Sequence, residues 1–480
     1  MGKILVCGAL GYIGQRLVTR LVDEGNARVR LLIRDARLVP EKLLQQVDVI
    51  EGDLLDQRVL MRAAEGIDVA YYPVRFIGMG KGFEEMSLTF SERFREACID
   101  SGVRRIVYFG IHGGSDSRST LVRSMVKTGD ILSAHPEKIQ TVWLKAGSIV
   151  SAGSVLFDML KSLIMKAPVI LVPRWMLTKI QPNSIADVVE LLTRARELDV
   201  AGNIVIDLTS GEVSLEDMLK VTADVLGVKR SFVRIPASLP RVSSLFLMLF
   251  TPLSYGLAST IVQALSPADS ESVSTPGLPP ECFFPHFSAT PLRRIIEVAI
   301  QDIEHELVAS RWTDNLTWLS YTFSEDEVVR AVFRDVKTVD FGDLPAGKVF
   351  RSVKSIGGKR GWFTFDLLWQ IRGVMDKLMG GFGTSVGRRV EIDLRIGDML
   401  DVWRVVDLVD GKRILLEAQM VVFGKAWLEF RIDGRTLTQT AYHLPSGILG
   451  RLYWYSMLPF HAFIFKDMIE SIVKRARQLE

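Results

Sequence analysis

Residues 3–25 read KILVCGALGYIGQRLVTRLVDEG. The run Ile4 to Cys7 is continuously apolar, as a short strand buried on both faces of a parallel sheet requires. After the glycines, Leu17, Val18 and Leu21 recur at three-to-four spacing, which is the period of one helix face, and Gly25 stops it. Between strand and helix stand Gly8, Gly11 and Gly14. A residue without a Cβ permits the tight turn, a second lets a pyrophosphate approach the backbone, and a third lets helix and strand pack closely. Amides of the helix N-terminus, around Tyr12 and Ile13, then face the phosphates. The stretch therefore reads as the dinucleotide turn of a Rossmann-type sheet. The competing reading is a tight turn with no ligand.

Moving outward, the strand-like runs VRLLIR, VDVIEGD, VAYYPV, RRIVYFG and TVWLKAG alternate with the amphipathic stretches QRVLMRAAEG and FEEMSLTFSERFREACIDSG. Strand and helix alternating in this way predict a parallel sheet with helices on both faces. Twenty residues beyond Gly14, where a carboxylate would bind the ribose 2′-hydroxyl of NAD, stands Arg34, with Arg37 close behind. A guanidinium there suits the 2′-phosphate of NADP(H), so NADP(H) is expected over NAD(H); the alternative is a solvated surface arginine. Asp53 and Leu54, in EGDLLD, end the third strand where carboxylate and amide reach an adenine edge, or else cap the next helix. Pro73 and Gly110, at the ends of the fourth and fifth strands, complete the expected cofactor-binding set.

The 480 residues carry 59 basic and 56 acidic side chains, a net charge of +3, so no nucleic-acid partner is expected. Cys7, Cys98 and Cys282 are scattered, which predicts neither a disulfide framework nor a zinc site and fits a reducing cytoplasm. The first strand begins too early to leave room for a signal peptide. The histidines form no closely spaced ligand set, and there is no nucleophile elbow or phosphate loop of the GxxxxGK type, so no metal is expected.

From Val242 to Ala268 no residue is charged. The run is long enough to cross a bilayer, but Pro252 and Gly256 interrupt it. It reads as a pair of short apolar helices over a substrate site, or as a peripheral membrane contact through 242–268. Further on, Ser214 to Asp217 caps a helix, and 266–291 reads as a long Ser/Pro-rich connection, followed by a helix from Pro291 to about Val308. The last third changes period. Ile414, Leu416, Ala418 and Met420, then Ala426, Leu428, Phe430 and Ile432, alternate with polar neighbours between the turns at Asp410-Gly411, Phe423-Gly424-Lys425 and Asp433-Gly434-Arg435, an antiparallel meander with one apolar face. The stretch from Ile448 to Leu479 would cover it as a long helix broken or kinked at Pro459.

Taken together, GALGYIG, VRLLIRD, EGDLLD, AYYPV and GVRRIVYFG resemble the atypical, NmrA-like branch of the short-chain dehydrogenase/reductase superfamily. PRWMLTKIQPNSIADV resembles a hallmark of a bacterial subgroup whose carboxyl half is a domain of unknown function. GWFTFDLLWQIRGVMDKLMGG, LRIGDMLDVWRV, AWLEFRI and LTQTAYHLPSGILGRLYWYSMLPFH match that half, which is similar to the helix-grip (START, polyketide-cyclase, SRPBCC) superfamily. The resemblance covers nearly the whole chain. It implies an α/β Rossmann domain over 1–310, with a substrate region at about 150–310, and an α+β helix-grip domain over 311–480 whose antiparallel sheet surrounds a long C-terminal helix.

The resemblance also implies a catalytic Tyr-x-x-x-Lys pair, and here the chain departs from it. None of the nine tyrosines is followed by lysine four residues later, and none lies between Tyr108 and Tyr255. Lys127 alone occupies the approximate place of the catalytic lysine, as a proton relay, a ribose ligand or an exposed helix lysine. Arg174 and Trp175, preceding Gln181, Pro182 and Asn183, are placed by the resemblance on the substrate side. In the second domain Trp362, Trp369, Arg372, Asp376, Asp398, Asp401, Trp403 and Arg404 are dense enough to line a ligand cavity, form an interdomain seam or build a core. Two functions follow as expectations: an NADP(H)-dependent oxidoreductase acting on an apolar small molecule (isoprenoid, quinone or lipid-like), or a non-catalytic NADP(H)-sensing or lipid-binding protein.

Overall fold

The structure is a computed structural model. It describes residues 2–74, 82–117, 119–236, 239–265, 276–314, 324–358, 361–362, 373, 376, 388, 394–420 and 422–478. The chain divides into two compact units, Met1–Thr251 with Gly256–Ser320, and Tyr321–Glu480 with the short Pro252–Tyr255 link.

In the first unit the apolar runs form a seven-stranded parallel sheet: β1 (Gly2–Cys7), β2 (Ala27–Ile33), β3 (Asp48–Glu51), β4 (Val69–Tyr72), β5 (Arg105–Ile111), β6 (Gln140–Ala146) and β7 (Ile204–Leu208). The order is β7-β6-β5-β4-β1-β2-β3. Strand order reverses between β4 and β1, and ligands of open α/β sheets bind in the crevice at such a point, outside the carboxyl ends. Helices α1 (Tyr12–Glu24), α2 (Gln57–Ala64), α3 (Phe83–Asp100), α4 (Thr120–Leu132), α5 (Val155–Lys166) and α6 (Ile185–Ala195) follow their strands. α1 packs with α6, while α2, α3 and α4 form a second contiguous layer. The seam between sheet and second layer is aromatic: Tyr72 stacks on Phe90 at 5.3 Å and meets Tyr108 edge-on at 5.8 Å, all buried. Further along, α7 (Leu215–Val225) begins where expected, with Ser214 Oγ accepting from the Asp217 amide at 3.1 Å.

The uncharged segment forms α8 (Pro240–Phe250) and α9 (Tyr255–Ala264), separate helices split at the proline, and among the described residues no helix is long and apolar enough to cross a membrane. The helix after Pro291 is α10 (Leu292–Glu304), ending short of Val308. Residues 310–314 belong to the first unit, although the sequence places 311 onward in the second. Arg16 Nε donates to Ser310 Oγ at 3.1 Å, Ser310 Oγ donates to the Tyr12 carbonyl at 2.7 Å, and Trp312 Nε1 donates to Asp158 Oδ2 at 3.0 Å. These polar anchors carry the chain across the start of α1 before it leaves the unit.

The second unit is a six-stranded antiparallel sheet, β8 (Phe333–Asp340), β9 (Met399–Leu400), β10 (Trp403–Val409), β11 (Arg413–Ala418), β12 (Gly424–Asp433) and β13 (Thr436–Pro445), in the order β8-β13-β12-β11-β10-β9. Helix α11 (Ala346–Lys354) and the 32-residue α12 (Gly447–Gln478) cover its apolar face. α12 is not broken at Pro459, which sits inside it at the cost of one backbone hydrogen bond. Ile414, Leu416, Leu428 and Phe430 pack with Met468, Ile469 and Ile472 of α12 in one core. The opposite face is less open than simple alternation predicts: Leu415 and Trp427 are fully buried there, and Glu429 is buried while taking Arg413 Nε at 2.7 Å and Tyr442 OH at 2.8 Å. Of the dense tryptophan and charge set, Trp362 and Trp403 are core residues, with Trp362 Nε1 donating to the buried Asp401 at 2.9 Å. Asp376 is buried, Asp398 takes the Arg395 amide at 2.9 Å and Arg404 pairs with Glu417. Trp369 and Arg372 lie outside the described residues.

Candidate active site at the carboxyl edge of the parallel sheet

Gly8, at the end of β1, has φ +80°, and Gly11 is the N-cap of α1 with its amide returning to the Gly8 carbonyl at 3.1 Å. A Cβ on Gly14 would stand 2.0 Å from the Gly8 carbonyl oxygen. No side chain fits, so helix and strand are drawn together at this point, and the first-turn amides Tyr12 to Gly14, which have no intrahelical acceptor, head the crevice. This cradle fits a pyrophosphate. Tyr12 and Ile13 are themselves buried; the Tyr12 hydroxyl donates to the Ala152 carbonyl at 3.2 Å, fixing the loop from behind.

On the β2–β3 side, Arg34 is four-fifths buried with Nη2 3.8 Å from Asp53 Oδ1. Arg37 Nη2 is 2.7 Å from Asp35 Oδ2. Asp53 takes the Leu55 amide at 3.1 Å in a turn, and the N-cap of α2 is Asp56, three residues later than expected for a capping role at Asp53. Leu54 is in the core. On the other side of the crevice Pro73 follows β4, and Gly110 lies in β5. A Cβ on Gly110 would stand 2.1 Å from Trp143 Nε1, so packing under the indole already requires glycine there.

Lys127, on α4, is turned to α3, with Nζ 3.4 Å from Glu84 Oε1. Arg123, one helical turn earlier on α4, holds the same carboxylate through two contacts of 2.9 Å. These bonds, chiefly that from Arg123, lower the Glu84 carboxyl below its ordinary range.

Arg174 and Trp175 point apart. Arg174 is exposed; Trp175 is buried, with Nε1 donating to Ser243 Oγ of α8 at 2.9 Å, and so anchors α8, in place of the substrate contact expected of it. Asn183 is also structural: its Oδ1 takes the Gly147 amide at 2.9 Å, tying the chain after β6 to the segment before α6.

Sequence reading missed one cluster. Gly110, Lys145 and Asp207 are in register across β5, β6 and β7. His112, just past β5, brings Nε2 within 2.8 Å of Asp207 Oδ1, close enough to pair though off the line of an ideal hydrogen bond, and Lys145 Nζ is 3.6 Å from the same oxygen. Lys145 is 1% exposed. Burial pushes its ammonium down; burial would also raise the Asp207 carboxyl, but His112 and Lys145 outweigh it and hold the acid below its ordinary range. The available signal was a lysine and an aspartate inside the otherwise apolar strand runs TVWLKAG and IVIDL.

Residues 8–142 match the family described as NAD(P)H-binding, and residues 328–468 match a protein family of unknown function, DUF2867. The first unit is thus a Rossmann-like NAD(P)-binding domain related to dehydrogenases and reductases. Among curated relatives, a 3 beta-hydroxysteroid dehydrogenase/Delta 5-->4-isomerase of Mycobacterium tuberculosis is 31% identical over 115 residues, 24% of this chain and 30% of the relative. A 2-alkyl-3-oxoalkanoate reductase of Stenotrophomonas maltophilia is 28% identical over 109 residues, 22% of this chain and 32% of the relative. The chain thus spans about a third of the length of these relatives. Among solved structures, the triphenylmethane reductase of Citrobacter sp. superposes with a TM-score of 0.51 at 17% identity, covering 62% of this chain and 99% of the reductase. A nucleoside-diphosphate-sugar epimerase of Staphylococcus aureus gives a TM-score of 0.50 at 13% identity, covering 62% of this chain and 100% of the epimerase. At such identities these likenesses speak to fold alone.

Proposed function

We propose that this chain is an NADP(H)-dependent oxidoreductase acting on an apolar small molecule, by hydride transfer without a Tyr-x-x-x-Lys pair. The observation that carries it is the cradle at Gly8 to Gly14, where the Gly14 position has no room for any side chain. Arg34, reaching the edge of β2 beside Asp53, supports NADP(H) over NAD(H). The apolar class of substrate rests on the uncharged α8–α9 region and on the similarity of the second unit to helix-grip proteins, whose sheet and helix enclose apolar ligands.

The test is oxidation of NADPH by the full chain, followed at 340 nm with a panel of quinones, enones and aldehydes. Turnover of at least one class is expected, and none, with NADPH still bound, overturns the oxidoreductase reading. Arg34→Ala is expected to weaken NADPH binding about tenfold or more while leaving NADH within about twofold, the loss of one charge-assisted phosphate contact; equal loss for both places the 2′-phosphate elsewhere. One observation favours a second reading, a non-catalytic NADP(H) sensor: Lys127, the one candidate for the catalytic lysine, is paired with Glu84, as is Arg123 one turn earlier. Tight NADPH binding without turnover would establish it.

A further inference from the structure

His112 sits where the parallel sheet presents its carboxyl edge on the β4–β5 side of the crevice. Neighbouring strands lie about 4.8 Å apart, so β5, two strands from β1, stands about 10 Å from the glycine turn. That separation suits the ribose and nicotinamide ring of a dinucleotide whose pyrophosphate rests on the turn and whose adenosine half lies toward Arg34. His112 is only a quarter exposed, so its ring is largely fixed yet reaches the surface of the crevice.

Its surroundings are built. Asp207 receives His112 and Lys145 on one oxygen, while its own amide donates to the Leu278 carbonyl at 2.8 Å, so the segment running beside β7 pins the aspartate. Lys145 is buried beneath, 5.8 Å from the centre of the Trp143 ring. A carboxylate beside one ring nitrogen orients an imidazole, the arrangement in which a histidine can serve as an acid. With Nε2 turned to Asp207, Nδ1 is the nitrogen left to meet a substrate. A purely structural ion cluster has no reason to place its titratable member at the mouth of a cofactor crevice; a core Lys–Asp pair would suffice.

We propose that His112, oriented by Asp207 and Lys145, is the proton donor to the carbonyl oxygen of a substrate reduced at this edge, an inference that rests on the oxidoreductase reading above. NADPH, when bound, would supply a hydride pair to the substrate's carbonyl carbon, whose π pair moves onto oxygen. That oxygen takes the proton from His112 Nδ1, giving an alcohol, oxidised cofactor and a neutral imidazole that is reprotonated by solvent. The ligand class is therefore an aldehyde, ketone or enone. His112 is the catalytic residue; Asp207 and Lys145 are positioning residues.

Two measurements on the full chain test this. Carbethoxylation of histidines by diethyl pyrocarbonate, read peptide by peptide by mass spectrometry, is expected to slow at least fivefold at His112 with saturating NADP⁺, while the exposed His286 and His305 react unchanged. An unchanged rate at His112, with NADP⁺ shown bound, removes it from the cofactor's neighbourhood and overturns the proposal. For turnover with NADPH and benzaldehyde or cyclohexenone, His112→Gln is expected to lose about 100-fold with NADPH affinity kept, the usual share of general acid catalysis. His112→Gly is expected to recover with added imidazole, and Asp207→Asn to shift the pH profile, which loss of packing alone does not do. His112→Gln turning over within threefold of the parent overturns the proposal and leaves the oxidoreductase reading intact. A parent chain that binds NADPH and reduces no carbonyl overturns both.

Discussion

Single atoms decide the glycine positions. At Gly14 a Cβ would meet backbone, the Gly8 carbonyl, which cannot move without opening the turn; at Gly110 it would meet the Trp143 indole. The sequence reading puts both glycines among the expected cofactor positions, and contact geometry gives them different reasons. Gly14→Ala is therefore expected to abolish NADPH binding and, as overpacking against backbone, to cost about 1–3 kcal/mol of stability. Gly110→Ala is expected to cost a similar ~1–3 kcal/mol by displacing Trp143, with NADPH affinity changed far less. Paired thermal melts and fluorescence titrations of NADPH check this. A Gly110→Ala chain of normal stability that has lost NADPH would show that the glycine serves the cofactor after all. His112, Lys145 and Asp207 were not legible as a group, because they are remote in sequence and only the parallel register of β5, β6 and β7 brings them together.

For elements, local period was informative and its breaks less so. Strand–turn–helix at the start and the Asp410-Gly411 and Asp433-Gly434 hairpins were readable because turn chemistry and alternation are short-range signals. At Pro459 the sequence left a helix either broken or kinked, and α12 runs through it unbroken, with one backbone hydrogen bond forgone. α8 shows why orientation matters. Its Leu247 and Met248 are buried, whereas Val242, Leu245 and Leu249 are 54%, 44% and 52% exposed. If the uncharged segment meets a membrane surface, one of the two readings its sequence allows, the outward residues carry the contact. Flotation of the chain with anionic liposomes is then expected to fall several-fold for Leu245→Glu with Leu249→Glu, with thermal stability nearly unchanged. Flotation equal to the parent's would exclude α8 as the contact. Leu247→Glu is unsuitable for this purpose, because a charge buried without a partner unfolds the helix's packing whatever the surface does.

At the scale of the whole molecule, acid sensitivity has contributions of both signs. In the second, His461 stacks on Phe465 at 4.3 Å, and burial pushes its imidazole down to about 4, the nearby Asp335 only partly opposing this. His443, stacked on Trp454 at 5.7 Å, is displaced the same way by burial. Between an ordinary value near 6.5 and the folded value near 4, the unfolded chain takes up a proton that the folded chain refuses. His461 thus contributes stability that is complete above pH 6.5 and falls as the pH drops toward 4, by at most about 1.4 kcal/mol per pH unit. In the first unit burial raises the Asp158 and Asp187 carboxyls, which works in the opposite sense over the acid range, since a raised acid loses stability as the pH rises, whereas the lowered Glu84 and Asp207 carboxyls work in the same sense as His461. The total slope therefore mixes signs, and the informative quantity is a difference between chains. Urea unfolding of the full chain and of His461→Gln at pH 7 and pH 5 is expected to show the parent losing up to about 2 kcal/mol more than the variant over that interval. Equal losses would mean that His461 accepts its proton without disturbing the second unit, and that the acid sensitivity of the sheet and α12 arises from other groups.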